Sequence, residues 1–118
     1  MPMTQHLTQK IAEQALSYRF DRLPADVVRM AQLAILDHLG CALRGMNEPL
    51  VDIIAYEFLG RPLTADDLLP NVSAPCATSD SQHAMLHGMA AHAIDFDDTM
   101  VAAQAAHIGA GVVSAVLT

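Results

Sequence analysis

The run Val27–Leu43, VVRMAQLAILDHLGCAL, constrains the fold more than any other stretch of the chain. Val27, Met30, Ala31, Leu33, Ala34, Leu36 and Leu39 recur at helical spacing but cover more than one face, so the run reads as a central helix buried on several sides. It opens at LPADVV, where Pro24 suits a first helical turn and Asp26 favours the positive end of the helix dipole. Gly40 and Ala42 leave room for a neighbouring backbone, and Gly45 is a natural stop. Apolar residues make up 53% of the 118, yet aromatics only 4%, with no Trp. Ala, Leu, Met and Val must therefore build the core, which favours close helix packing over a β-sandwich.

Other helices follow the same pattern. Leu7, Ile11, Ala15 and Tyr18 form one stripe on a helix from about Thr4 to Tyr18, and a shorter helix spans about Glu48 to Leu59 before Gly60. Residues 60–78 carry three prolines and read as a loop, with one helical turn at Ala65–Leu69. A further helix starts near Thr78–Asp80, residue types that cap helix N-termini, and runs through SQHAMLHGMAAHAI. Strand signals are weak throughout; VDIIAY is better explained as helix. The expected fold is all-α, a helical bundle, with residues 1–118 a single all-helical segment. The last helix, HIGAGVVSAVLT, stops at Thr118 without a polar cap, which leads us to expect the front part of something longer.

The net charge of −7 argues against nucleic acid or an anionic membrane surface as partner. No apolar run reaches the ~18 residues of a spanning helix, and no signal peptide opens the chain, so a cytoplasmic protein is expected. Cys41 and Cys76 form no metal-spaced motif and read as buried, reduced thiols. All cations, Lys10, Arg19, Arg22, Arg29, Arg44 and Arg61, precede residue 62; beyond it the only formal charges are six aspartates and the C-terminal carboxylate.

Three of those aspartates crowd into HAIDFDDT, His92–Thr99, inside otherwise apolar sequence. On a helix or a single irregular turn, Asp95, Asp98 and Thr99 share one face, Asp97 points elsewhere and Phe96 anchors the segment in the core. Paired carboxylates beside histidines suit acid–base work or the orienting of an imidazole; the plainer reading is a cap in which Asp97 or Asp98 holds backbone N–H groups. Asp-x-Asp-Asp-Thr is also the acid motif of protonating terpene cyclases, but their carbocations need aromatic faces that this chain lacks. His83 and His87, four residues apart, could share a metal. At about 100° per residue, however, His92 and Asp95 do not join their face, and the glutamate of the helical zinc-hydrolase motif is replaced by Ala84. No metal is expected.

HGMAAHAIDFDDT followed by HIG resembles the MmgE/PrpD family, which includes 2-methylcitrate dehydratase, cis-aconitate decarboxylase and iminodisuccinate epimerase. Gly88, His92, Asp95, Phe96, Asp97, Asp98, Thr99 and His107 occupy that family's motif positions, and LPADVVRMAQLAILDHLGCALRG resembles its N-terminal helix. His87 stands in place of the family's usual Asn, and Ile108 in place of its usual Pro. The eight-residue step from Thr99 to His107 looks more like the methylcitrate dehydratases than the decarboxylases.

The resemblance covers roughly residues 5–118 and only about the first quarter of a typical member. It implies the first part of a large helical domain, homo-oligomers, no metal or organic cofactor, and lyase or isomerase chemistry on small di- and tricarboxylates. It also implies that Asp95, Thr99 and His107 line the active site. His107 would exchange a proton, Asp95 would orient or tune a histidine, and Thr99 would offer a hydroxyl, with His92 and Asp98 in support. The lysines such chemistry needs lie beyond this chain in the family, so little catalysis is expected of the 118 residues alone. The alternative is a non-catalytic helical module that self-associates through GAGVVSAVLT.

Overall fold

The computed structural model describes residues 3–69, 78–100 and 106–118. Its helices are α1 (Met3–Ser17), α2 (Ala25–Gly45), α3 (Pro49–Leu59), α4 (Ala65–Leu68), α5 (Asp80–His92) and α6 (Ile108–Leu117), with a 3-10 turn at Phe20–Arg22. No strand forms among the described residues, so the all-α expectation holds. No described helix is long and apolar enough to cross a membrane.

The chain divides into two compact units, residues 1–31 and residues 32–118. The first holds α1, the 3-10 turn and the opening of α2. Its stripe residues Leu7, Ile11 and Tyr18 are exposed.

The second unit holds the core. Ala42, Val51, Ala55, Leu63, Leu68, Leu86, Ala90 and Ala91 are buried together, with Leu43, Met46, Ile54, Phe58 and Leu59 packed around them. Half of that cluster is alanine, so the helices meet backbone to backbone. Gly45 faces the carbonyl of Ala90, and a Cβ on Gly88 would sit 3.0 Å from the Ala110 carbonyl. α5 is the hub, packing on both α3 and α6.

The helix ends carry the caps that their residues suggest. Gly60 ends α3 in the left-handed conformation (φ 69°), its N–H bonding the Tyr56 carbonyl. Ser79 opens α5 with a capping box to Gln82. Thr64 and Asp67 form the same box on α4, and Arg61 grips the Asp67 carboxylate with two bonds of 2.8 Å. The Arg61 bonds hold the Asp67 carboxyl well below the usual carboxylate range, helped by Thr64. The rest of the expected loop, residues 70–77, lies outside the described residues, and Cys76 with it. Cys41 is buried with a free thiol, as expected.

One expectation fails. α2 is not buried on several sides: Val27, Met30, Leu33 and Leu36 are exposed, and burial is confined to its last turns, at His38, Cys41, Ala42 and Gly45. An apolar face states a preference, and its burial depends on another element being placed against it.

Candidate active site

α5 runs out at His92, and the chain then leaves helical geometry. Ala93 and Ile94 make a turn, and Asp95 takes a positive φ of 53°. Among non-glycine residues, Asp and Asn tolerate that conformation best. Further on, Met100 and Ala106 pair in an isolated antiparallel bridge, with N–H···O bonds of 2.9 and 3.3 Å. The bridge returns the chain to the motif and sets His107 beside it, at the start of α6.

Because the backbone turns at Asp95, the helical-face reading of the motif is wrong in two places. Phe96 is not an anchor; it is 78% exposed. Asp97 does not point away; its side chain is only 1% exposed and lies between two histidines. Its Oδ1 is 2.9 Å from His92 Nδ1 and 3.2 Å from His107 Nδ1. The two imidazole rings stand 4.7 Å apart, centroid to centroid. The hydrogen bond to Asp97 raises the His92 pKa above its ordinary value.

The other expected residues divide. Asp95 is exposed, yet its Oδ1 lies 3.3 Å from His107 Nε2, so it joins the cluster from the solvent side. Asp98 turns the other way and accepts the Gly109 N–H at 2.9 Å, satisfying a free donor in the first turn of α6. That is the capping role considered for it. The Thr99 hydroxyl donates to the Asp97 carbonyl at 3.4 Å and holds the turn rather than meeting the histidines. Asp97 is therefore the site residue that helical spacing conceals. The signal available in the sequence was Asp95 itself, a residue able to break the helix.

His92 and His107 open onto a cleft of about 760 Å³ between α5 and α6. Small residues such as Gly88, Ala110 and Gly111 line it with Met85 and Met89, and among the described residues no Lys or Arg does. The cluster can therefore donate, accept and orient protons, but it offers no fixed positive charge to an anion. His92, Asp97 and His107 are also a group able to hold a metal ion, with one donor atom from each residue lying within 4.8 Å of the others.

His83 and His87 stand apart from this site. His83 Nε2 meets the Asp67 carbonyl at 2.6 Å, and His87, far from solvated, is fully buried and stacked on His38 with ring centroids 5.5 Å apart. His38 Nε2 and His87 Nδ1 are 3.3 Å apart, and Ser114 Oγ lies 3.5 Å from the same His38 nitrogen. Burial depresses the pKa of both histidines, that of His87 to about 4.

No curated protein and no solved structure matches the chain. A family model does: residues 9–118, which include the whole of this cluster and the helices that carry it, match the MmgE/PrpD N-terminal domain, and the chain belongs to that family.

Proposed function

We propose that this chain supplies one wall of the active site of a 2-methylcitrate dehydratase-like lyase or isomerase. Its substrates are small di- or tricarboxylic acids, and its reaction is proton abstraction beside a carboxylate, with loss of water or CO₂. The observation that carries this reading is the placement of His107 between Asp97 and Asp95 at the edge of an open cleft. An imidazole is suited to carrying a proton, and flanking carboxylates fix the orientation of its ring. His107 is the proton carrier in this proposal. Asp95 and Asp97 orient it, Thr99 is left to accept a hydrogen bond from substrate, its own proton being donated to the Asp97 carbonyl, and His92 and Asp98 support the fold of the turn.

Removing such a proton adds negative charge to a substrate that already carries several, and fixed cations must meet it. The arginines of the second unit are engaged elsewhere, Arg44 with Glu48 and Arg61 with Asp67. We therefore assign the cations of the working site to residues outside this unit or to a partner. We also propose a cytoplasmic homo-oligomer that uses no metal or organic cofactor in turnover. The exposed Ile108, Val112 and Val116 on α6 suit contact with another copy.

The test is turnover of 2-methylcitrate and cis-aconitate, followed by the absorbance of the unsaturated acid. The 118-residue chain alone is expected to give none. Joined to the downstream segment of a family member, it is expected to turn over one of the two. Turnover by the chain alone, or silence of the joined protein toward both acids, would contradict the proposal.

A further inference from the structure

The cleft beside the histidines is larger and more apolar than a proton transfer needs. It follows one face of α5 from Ser81 past Met85 and Met89 to His92, about 16 Å at 1.5 Å per residue. Leu50 lies along it too, and both Leu50 and Met85 are exposed. Its volume of about 760 Å³ falls within the ~300–1,000 Å³ of small-molecule sites and leaves far more room than a methyl group requires.

Charge decides which part of a substrate faces this wall. Any proton on His92 or His107 is already answered by the carboxylates of Asp97 and Asp95. A substrate carboxylate placed here would meet those aspartates with no lysine or arginine to offset the repulsion. The part that faces α5 is therefore uncharged carbon. Methionine, unbranched and polarizable, adapts its shape to such a partner.

Gly111 points the same way. A glycine inside a helix is costly, and those nearby have a reason in their neighbours. A Cβ on Gly88 would crowd the Ala110 carbonyl, and one on Gly109 would strike the Asp98 carboxylate. Around Gly111 nothing lies within 4 Å, so no packing within the fold demands it. What its missing side chain leaves open is the cleft.

We infer that the cleft is a subsite for an alkyl branch of the substrate, longer than methyl, whose accepted length is set by Met85, Met89 and Gly111. That the branch belongs to a di- or tricarboxylate rests on the lyase reading above; the apolar subsite itself rests on the cleft.

The chain, labelled with ¹³C at its methionine methyl groups, is titrated with alkylsuccinates from methyl to hexyl and followed by nuclear magnetic resonance. The Met85 and Met89 signals should shift together, and binding should tighten about threefold for each methylene added, as buried alkyl surface does. Gly111→Leu places a good helix former where nothing obstructs it and should abolish that length dependence. Gly40→Ala, with equally open surroundings on α2, should keep it.

Affinity independent of chain length overturns the inference, as does a length dependence that survives Gly111→Leu. Loss of self-association in Gly111→Leu, with no change toward the alkyl acids, would give the cleft to a second copy and overturn it equally. Because no turnover is measured, the two readings fail separately. Length-dependent binding beside a joined protein silent toward 2-methylcitrate and cis-aconitate would remove the reaction and keep the subsite.

Discussion

Gly45→Ala is expected to lower the thermal midpoint by about 10 °C, while Gly40→Ala in the same helix raises it by a few degrees. Both changes remove glycine's entropic penalty in a helix, a gain of about 0.5–1 kcal/mol relative to the parent. They differ in what the new methyl group meets. At Gly40 nothing lies within 4 Å of it. At Gly45 it overlaps the carbonyl of Ala90, with the Ala93 Cβ a further 3.2 Å neighbour. That carbonyl is main chain in the last turn of α5 and cannot swing aside as a side-chain tip can. Overpacking of this kind costs about 3 kcal/mol, which exceeds the propensity gain and leaves a net loss of about 2 kcal/mol. Thermal unfolding followed by circular dichroism reads both signs. A stabilised Gly45→Ala would mean that α2 and α5 do not approach as described.

The second large effect is a loss of stability in mild acid. His87 takes up its proton near pH 4 in the folded chain, against an ordinary value of 6.5, because burial penalises its charged form and the neighbouring His38 and His83 oppose a further charge. His38 shifts in the same direction through burial, with Asp97, Asp98 and Asp37 pulling against it. Below pH 6.5 the unfolded chain binds a proton at position 87 that the folded chain refuses, so stability falls as pH drops. The fall from His87 alone reaches about 3 kcal/mol by pH 4, where the folded protein begins to accept the proton. The contribution is fully present above pH 6.5. Urea midpoints between pH 7 and pH 4 measure it, and His87→Asn should flatten the slope even where it costs stability at pH 7. An unchanged slope in that variant would assign the acid sensitivity to other groups.

Much of the fold was legible because helix ends are written in local chemistry. Ser79 with Gln82, Thr64 with Asp67, and Gly60 after Leu59 each state a boundary without reference to distant chain. Burial was less legible. The apolar residues of α2 promise a buried helix, and only the part from His38 onward finds partners. The motif was legible in composition but not in direction. Helical spacing groups Asp95, Asp98 and Thr99, yet a single positive φ at Asp95 cancels the helical wheel from that point on. Asp97 then turns inward, Phe96 turns outward, and Asp98 caps α6. His107 reaches the cluster through the Met100–Ala106 bridge, a pairing that two residues of no special β-propensity do not announce. The buried stack of His87 on His38 also escapes local reading, since its partners lie 49 positions apart.

The central claim is that the aspartate-rich turn folds around Asp97, with His92 and His107 gathered on its carboxylate. It is tested most directly by a nuclear magnetic resonance titration of the His92 ring in the parent chain and in Asp97→Asn. His92 is half exposed, so its titration is readable without unfolding the protein. With Asp97 bonded to Nδ1, the parent should titrate above the ordinary 6.5, and Asp97→Asn should return it toward that value while His83 and His87 keep their ring shifts. A His92 midpoint that is the same in both proteins would show that Asp97 does not face it, and the site as described would not stand.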